Sequence, residues 1–115
     1  MTYQDFRRMV ADATEHTSLD GYIADVGGSV PLTVPDDALT QLLTACWDYG
    51  HERTMRTIRR IAGLSQAQFA AAYSVPRRTV ENWESGSGTN TRTAPPYVLD
   101  MLAYVAVSDL IGEVQ

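Results

Sequence analysis

The chain is 115 residues long, the size of one ordinary domain with room for a real core. A hydrophobic share of 44% beside 20% charged residues excludes wholesale disorder and the fibrous and low-complexity classes. The net charge of −5 argues against a nucleic-acid partner until its distribution is considered. Residues 1 to 53 carry nine acids against Arg7, Arg8 and Arg53, and residues 97 to 115 add Asp100, Asp109 and Glu113. Residues 54 to 96 instead carry Arg56, Arg59, Arg60, Arg77, Arg78 and Arg92 against Glu81 and Glu84, a local balance of +4.

In chain order, Thr2 precedes a stripe of Tyr3, Phe6, Met9, Val10 and Ala13, with Asp5 three residues after the threonine. That pattern predicts a capped amphipathic helix. Charges interrupt every apolar run of this N-terminal segment, which is the pattern of neither a signal peptide nor a membrane anchor. The stretch GYIADVGGSVPLTV admits a hairpin around Gly27 and Gly28. Leu19, Tyr22, Ile23 and Val26 at i, i+3, i+4 and i+7, with Ser18 to cap and Gly27 to close, favour a short helix instead. Residues 29 to 35, with Pro31 and Pro35, are expected as an extended linker.

Asp36 and Asp37 then stand at the N-terminus of a helix whose apolar face is Leu39, Leu42, Leu43, Cys46 and Trp47. The paired aspartates can also be read as an acid/base dyad or as metal ligands. No third ligand or nucleophile is near in sequence, so the helix-end role is favoured. Gly50 and His51 are expected to break or kink this helix before Thr54 caps the next. Cys46 has no disulfide partner, and no CxxC or Cys/His spacing suggests zinc, which fits a reduced core residue in a cytoplasmic protein.

From Thr54 the chain reads TMRTIRRIAG, LSQAQFAAAY, SV and PRRTVENWESG. Met55, Ile58 and either Ile61 or Ala62 define one helix ended by Gly63. Ser65 caps a second, very short one in which Phe69 and the small Ala70 face inward. A turn at Tyr73, Ser74 and Val75 leads to Pro76, well placed for the first turn of a third helix. Val80 and Trp83 supply its buried face, leaving Arg77, Arg78, Glu81, Asn82 and Ser85 outward until Gly86 stops it.

LSQAQFA, the SV turn and RRTVENWESG together resemble the Cro/repressor-type (Xre family) helix-turn-helix proteins, over roughly residues 54 to 104. The resemblance implies an all-α, lambda-repressor-like helix-turn-helix bundle, here with an additional N-terminal helical region. It also implies that the third helix reads base edges of double-stranded DNA, placing Arg77, Arg78 and Asn82 at base-reading positions. The chemistry suits that role, since Arg can bond guanine O6 and N7 and Asn can pair with adenine N6 and N7. Thr79 can meet a thymine methyl or a phosphate, and Gln66 matches a phosphate contact of the family. Glu81, Ser85 and Arg92 complete the expected DNA-facing set. Two features depart from the family pattern. Ser74 stands where glycine is usual, so a left-handed backbone there carries strain, and the SGSGTNTRTAPP loop around Gly86 is long and holds only Arg92 as a cation.

Pro95 and Pro96 start a last helix, apolar almost all round from Tyr97 to Ile111. Its run contains Asp100 and is too short to span a bilayer, so no membrane association is expected. One side can pack on the three-helix unit and the others need residues 1 to 50 or a second subunit, and a two-fold homodimer is predicted. The organisation expected is an acidic helical region over residues 1 to 50 and a helix-turn-helix domain over residues 51 to 115. Function reads as a sequence-specific transcriptional regulator, a repressor in the simplest case. The alternative is an antitoxin-like protein whose residues 1 to 50 bind a toxin-like partner. No Gly-rich phosphate loop, metal spacing or catalytic triad is present, so neither an enzyme nor a cofactor is expected.

Overall fold

Local capping sets where most of the helices begin. In the computed structural model, which describes residues 1 to 85 and 94 to 112, α1 (Tyr3–Thr14) opens on a reciprocal pair. The Asp5 amide donates to Thr2 Oγ1 and the Thr2 amide donates to Asp5 Oδ2, both at 3.0 Å. Helix α2 (Leu19–Val26) starts where the Gly21 amide donates to Ser18 Oγ at 3.1 Å, so the helix and not the hairpin is adopted. Gly27 does not close α2 by the expected left-handed turn. Its φ is −54°, and the chain tightens into a 3-10 turn over Gly27–Ser29.

The following segment is less idle than its prolines suggest, because Val34 is buried and its amide donates to the Pro31 carbonyl at 3.0 Å. Asp36 and Asp37 occupy a second 3-10 turn, Asp36–Ala38, one step outside α3 (Leu39–His51). Both remain exposed at the positive end of that helix.

Gly50 does not break α3, which runs through it to His51 with Glu52 as its cap, so the helix ends before Thr54 as expected but not at the glycine. The reason lies across the interface with α1. A Cβ on Gly50 would sit 3.1 Å from the Val10 carbonyl oxygen and 3.5 Å from Ala13 Cβ. Here glycine lets two helix backbones approach closely, and burial against α1 outweighs its poor helix propensity.

The remaining helices are α4 (Met55–Ala62), α5 (Gln66–Tyr73), α6 (Arg77–Glu84) and α7 (Pro96–Leu110). All seven are α-helices, and no strand occurs among the described residues. One apolar core runs through both halves of the chain, joining Phe6, Tyr22, Leu42 and Tyr49 to Ile58, Phe69, Val80 and Val107. Helix α7 packs on α4, α3 and α1. Tyr104 of α7 meets Phe6 and Tyr3 at ring-centroid distances of 5.8 and 5.5 Å. Most of α7 is therefore covered from within the same chain. No helix among the described residues is long and apolar enough to cross a membrane.

One surface pair makes stability depend on pH. His16 Nδ1 lies 2.8 Å from the Asp12 carbonyl oxygen and Nε2 lies 3.0 Å from Asp25 Oδ2. Both contacts suit a doubly protonated ring, so the Asp12 carbonyl first and Asp25 second hold the His16 pKa above its ordinary value. A raised folded-state pKa means a contribution fully present below about pH 6.5 and lost as pH rises through the folded value. The difference in urea midpoint between the parent and His16→Gln is expected to shrink from about pH 6 to about pH 8. A difference that is constant with pH would exclude this contact as the source.

Candidate nucleic-acid interface

The polar surface of α6 depends on how three short helices are stopped, turned and restarted. Thr54 caps α4, its Oγ1 accepting from the Thr57 amide at 3.2 Å, and Gly63 ends it at φ +70°. Ser65 then caps α5 through a second reciprocal pair with Gln68, at 3.1 and 2.9 Å. Phe69 and Ala70 are the buried residues of α5, with Ala70 small enough for close packing by its neighbours.

Ser74 turns the chain with a left-handed backbone, φ 55° and ψ 37°, and is the one non-glycine residue with positive φ among those described. Its amide and that of Val75 both donate to the Ala70 carbonyl, closing the end of α5. A Cβ in that conformation costs about 1–2 kcal/mol. Ser74→Gly is therefore expected to stabilise the fold by about 0.5–1 kcal/mol after the extra chain entropy of glycine is subtracted, and to raise the melting temperature by about 2–4 °C. A lower melting temperature would mean that the serine hydroxyl contributes something the geometry does not reveal.

Pro76 is the cap of α6 and not its first helical residue, and its carbonyl accepts from the Thr79 and Val80 amides at 2.9 and 3.2 Å. Val80 is fully buried and Trp83 half-buried against the core. With about 100° between successive residues, Arg77, Arg78, Glu81, Asn82 and Ser85 fall within about 140° of one another on the helix. All five are exposed. Thr79 lies at the edge of this face, half-buried, and Gln66 is half-buried in the first turn of α5. Arg92 lies outside the described residues.

The five outward residues are not chemically equivalent. Arg77 Nε donates to Glu81 Oε1 at 3.1 Å, an i, i+4 pair along the surface. Ser85 Oγ donates to the Asn82 backbone carbonyl at 3.1 Å. Arg78 has no carboxylate partner among the described residues, which leaves its guanidinium and the Asn82 amide as uncommitted groups.

Beneath this face lies a contact that sequence reasoning missed. The Glu84 side chain is only 3% exposed. Arg59 of α4 reaches it with Nε and Nη2, each at 3.0 Å, one to each carboxylate oxygen. Arg59 Nη1 also donates to the Leu64 carbonyl at 3.2 Å, in the link between α4 and α5. Arg56 adds a more distant contact at 3.8 Å. A single guanidinium thus fixes α6 to α4 and to the start of α5. Arg59, one of the six cations of residues 54 to 96, is an internal clamp.

Comparison with protein-family models, with curated proteins and with solved structures finds no match. What the surface can do follows from its own chemistry. A short helix tied to α4 through the Arg59–Glu84 pair presents two planar hydrogen-bonding groups, the Arg78 guanidinium and the Asn82 amide, one turn apart on its exposed face, and such groups recognise paired acceptors and donors. No group of three or more His, Cys, Asp or Glu residues among those described is arranged to hold a metal ion.

Proposed function

We propose that this chain is a sequence-specific DNA-binding transcriptional regulator, acting as a repressor, that lays α6 in the major groove. The observation that carries the reading is the exposed arc of Arg77, Arg78, Glu81, Asn82 and Ser85 on a helix clamped from behind by Val80 and the Arg59–Glu84 pair. Rigid backing matters because base readout demands side chains held in register with the base edges. The resemblance of residues 54 to 104 to Xre-type proteins supports the same reading. In it, Arg78 and Asn82 bond base edges directly, Arg77 joins them on leaving Glu81, and Gln66 and Thr79 contact the phosphate backbone.

The regulator works as a homodimer on two half-sites. Tyr97, Met101 and Val105 recur every fourth residue on α7 and are 66%, 55% and 38% exposed, an apolar stripe that a second copy would cover. Selection of bound duplexes from a random pool tests the proposal. An enriched sequence with two half-sites about 10 base pairs apart, bound more weakly as salt rises, is the expected result. Failure to enrich any sequence at low salt would overturn it.

A further inference from the structure

Between Arg8 and Arg53 the chain has eight acids and neither a lysine nor an arginine. The three cations of the first 53 residues are nevertheless neighbours in space. Arg7, Arg8 and Arg53 line one open cleft between α1, α3 and α7, and none of those eight acids lines it. Arg53 immediately precedes Thr54, the cap of α4, and Arg56 stands in the first turn of that helix. Arg56 Nε in turn lies 3.8 Å from Glu84 Oε1, at the C-terminal end of α6. Four arginines thus follow one another from the end of α6 to α1.

Their charge is turned outward, whereas the acids among them are turned in. The Arg8, Arg53 and Arg56 side chains are 55%, 47% and 67% exposed, and Arg7 is exposed as well. The carboxylates they approach, on Asp5, Asp100 and Glu84, are 25%, 14% and 3% exposed. Each of these is held by another partner: the Thr2 amide, the Tyr49 hydroxyl and Arg59 respectively. Arg7 lies over the Tyr3 ring and has no carboxylate partner among the described residues. Arg60 is not part of this set, because the exposed Glu52 lies 4.0 Å from it.

We propose that Arg56, Arg53, Arg7 and Arg8 form a phosphate-binding track that carries the DNA interface off the helix-turn-helix and onto α1. The inference rests on the reading of α6 as the groove-bound helix and adds a second contact surface to it. A recognition helix meets base edges with its N-terminal residues, so its C-terminal end lies nearer the phosphate ridge, and Arg56 adjoins α6 at that end. The three residues from Arg53 to Arg56 reach at most about 10 Å, and each DNA strand carries a phosphate about every 3.4 Å of axis. Arg53 is therefore placed within about three phosphates of Arg56, and the guanidinium fork is well matched to each. Residues 1 to 53 carry nine acids against three arginines, and a unit of that charge beside the reading helix would be repelled by the duplex unless its cations faced it.

The full chain and its Arg7→Gln, Arg8→Gln variant, compared by fluorescence anisotropy on the selected and a scrambled duplex between about 50 and 200 mM salt, test the track. Each lost phosphate contact should reduce the slope of log affinity against log salt by about 0.9, hence by about 1.8 in this variant and about 2.7 with Arg53→Gln added. Affinity at about 100 mM salt should fall about tenfold or more on both duplexes, with their ratio kept within about twofold of the parent's. The Arg7→Lys, Arg8→Lys variant keeps the charge and should keep the slope. Should the double variant unfold, Arg7→Gln alone, which gives up only the Tyr3 ring contact, should still lower the slope by about 0.9. An unchanged slope and affinity overturns the track and leaves these arginines to an acidic protein surface. A changed ratio between the duplexes also overturns it, in favour of base contact. The two readings fail separately: full discrimination retained by Arg78→Ala counts against α6 alone, whereas no selective binding by the parent overturns both.

Discussion

Arg59→Ala is expected to destabilise the fold by about 3 kcal/mol, a large part of the roughly 5–15 kcal/mol that holds a domain of this size together. The loss arises because the Glu84 carboxylate, 3% exposed, would keep only the 3.8 Å contact from Arg56 in place of two 3.0 Å hydrogen bonds. An uncompensated buried charge costs far more than an exposed pair contributes. Urea unfolding should therefore show a lower midpoint at an unchanged slope. The double variant Arg59→Met, Glu84→Leu should recover most of the loss, because a buried ion pair replaced on both sides by apolar groups is often neutral. A cost of less than about 1 kcal/mol for Arg59→Ala would place the pair in the exposed class and remove the clamp from the account of α6.

The second large effect concerns binding. On a duplex enriched by selection, Arg78→Ala is expected to weaken affinity by about 10- to 100-fold, since a two-bond arginine contact to guanine is worth about 1–3 kcal/mol. Arg77→Ala should cost less, because Arg77 must first leave Glu81, 3.1 Å away, before it can bond a base. The double variant should lose about 100-fold or more and should lose discrimination between the selected and scrambled duplexes. Both side chains are exposed, so stability should move by no more than about 0.5 kcal/mol. Fluorescence anisotropy at one fixed salt concentration measures the affinities, and urea unfolding checks the stability. Affinity and selectivity unchanged in the double variant would remove α6 as the reading helix.

The helix starts were legible because caps act locally. Thr2, Ser18, Thr54 and Ser65 each satisfy amides within three residues of themselves, so no knowledge of the fold is needed to place them. Gly63 and Ser74 were legible for the same reason, as each ends a helix with its own backbone. Gly50 was misjudged because its role is not local: what decides it is the Val10 carbonyl, forty residues earlier. The polar arc of α6 was readable from its period, since Val80 and Trp83 fix which side is inward.

Glu84 shows where that approach stops. At about 100° per residue it falls about 40° from Val80 and about 20° from Arg77, on the border between the buried face and the exposed arc, so its phase does not decide its burial. Its partner Arg59 is 25 residues away on another helix, a pairing that no spacing rule encodes. The cleft between α1, α3 and α7 was hidden for the same reason. Arg7, Arg8 and Arg53 look like scattered cations in an acidic stretch until the helices bring them together.

The core shared by both halves also bears on how the molecule comes apart. Ile58, Phe69 and Val80 sit in one apolar cluster with Phe6, Tyr22 and Leu42, so heat or denaturant should meet a single cooperative unit. The folded population of α6 is then set as much by a methyl group in α1 as by one in α4. A protease able to cut only unfolded chain would remove both halves at the same rate.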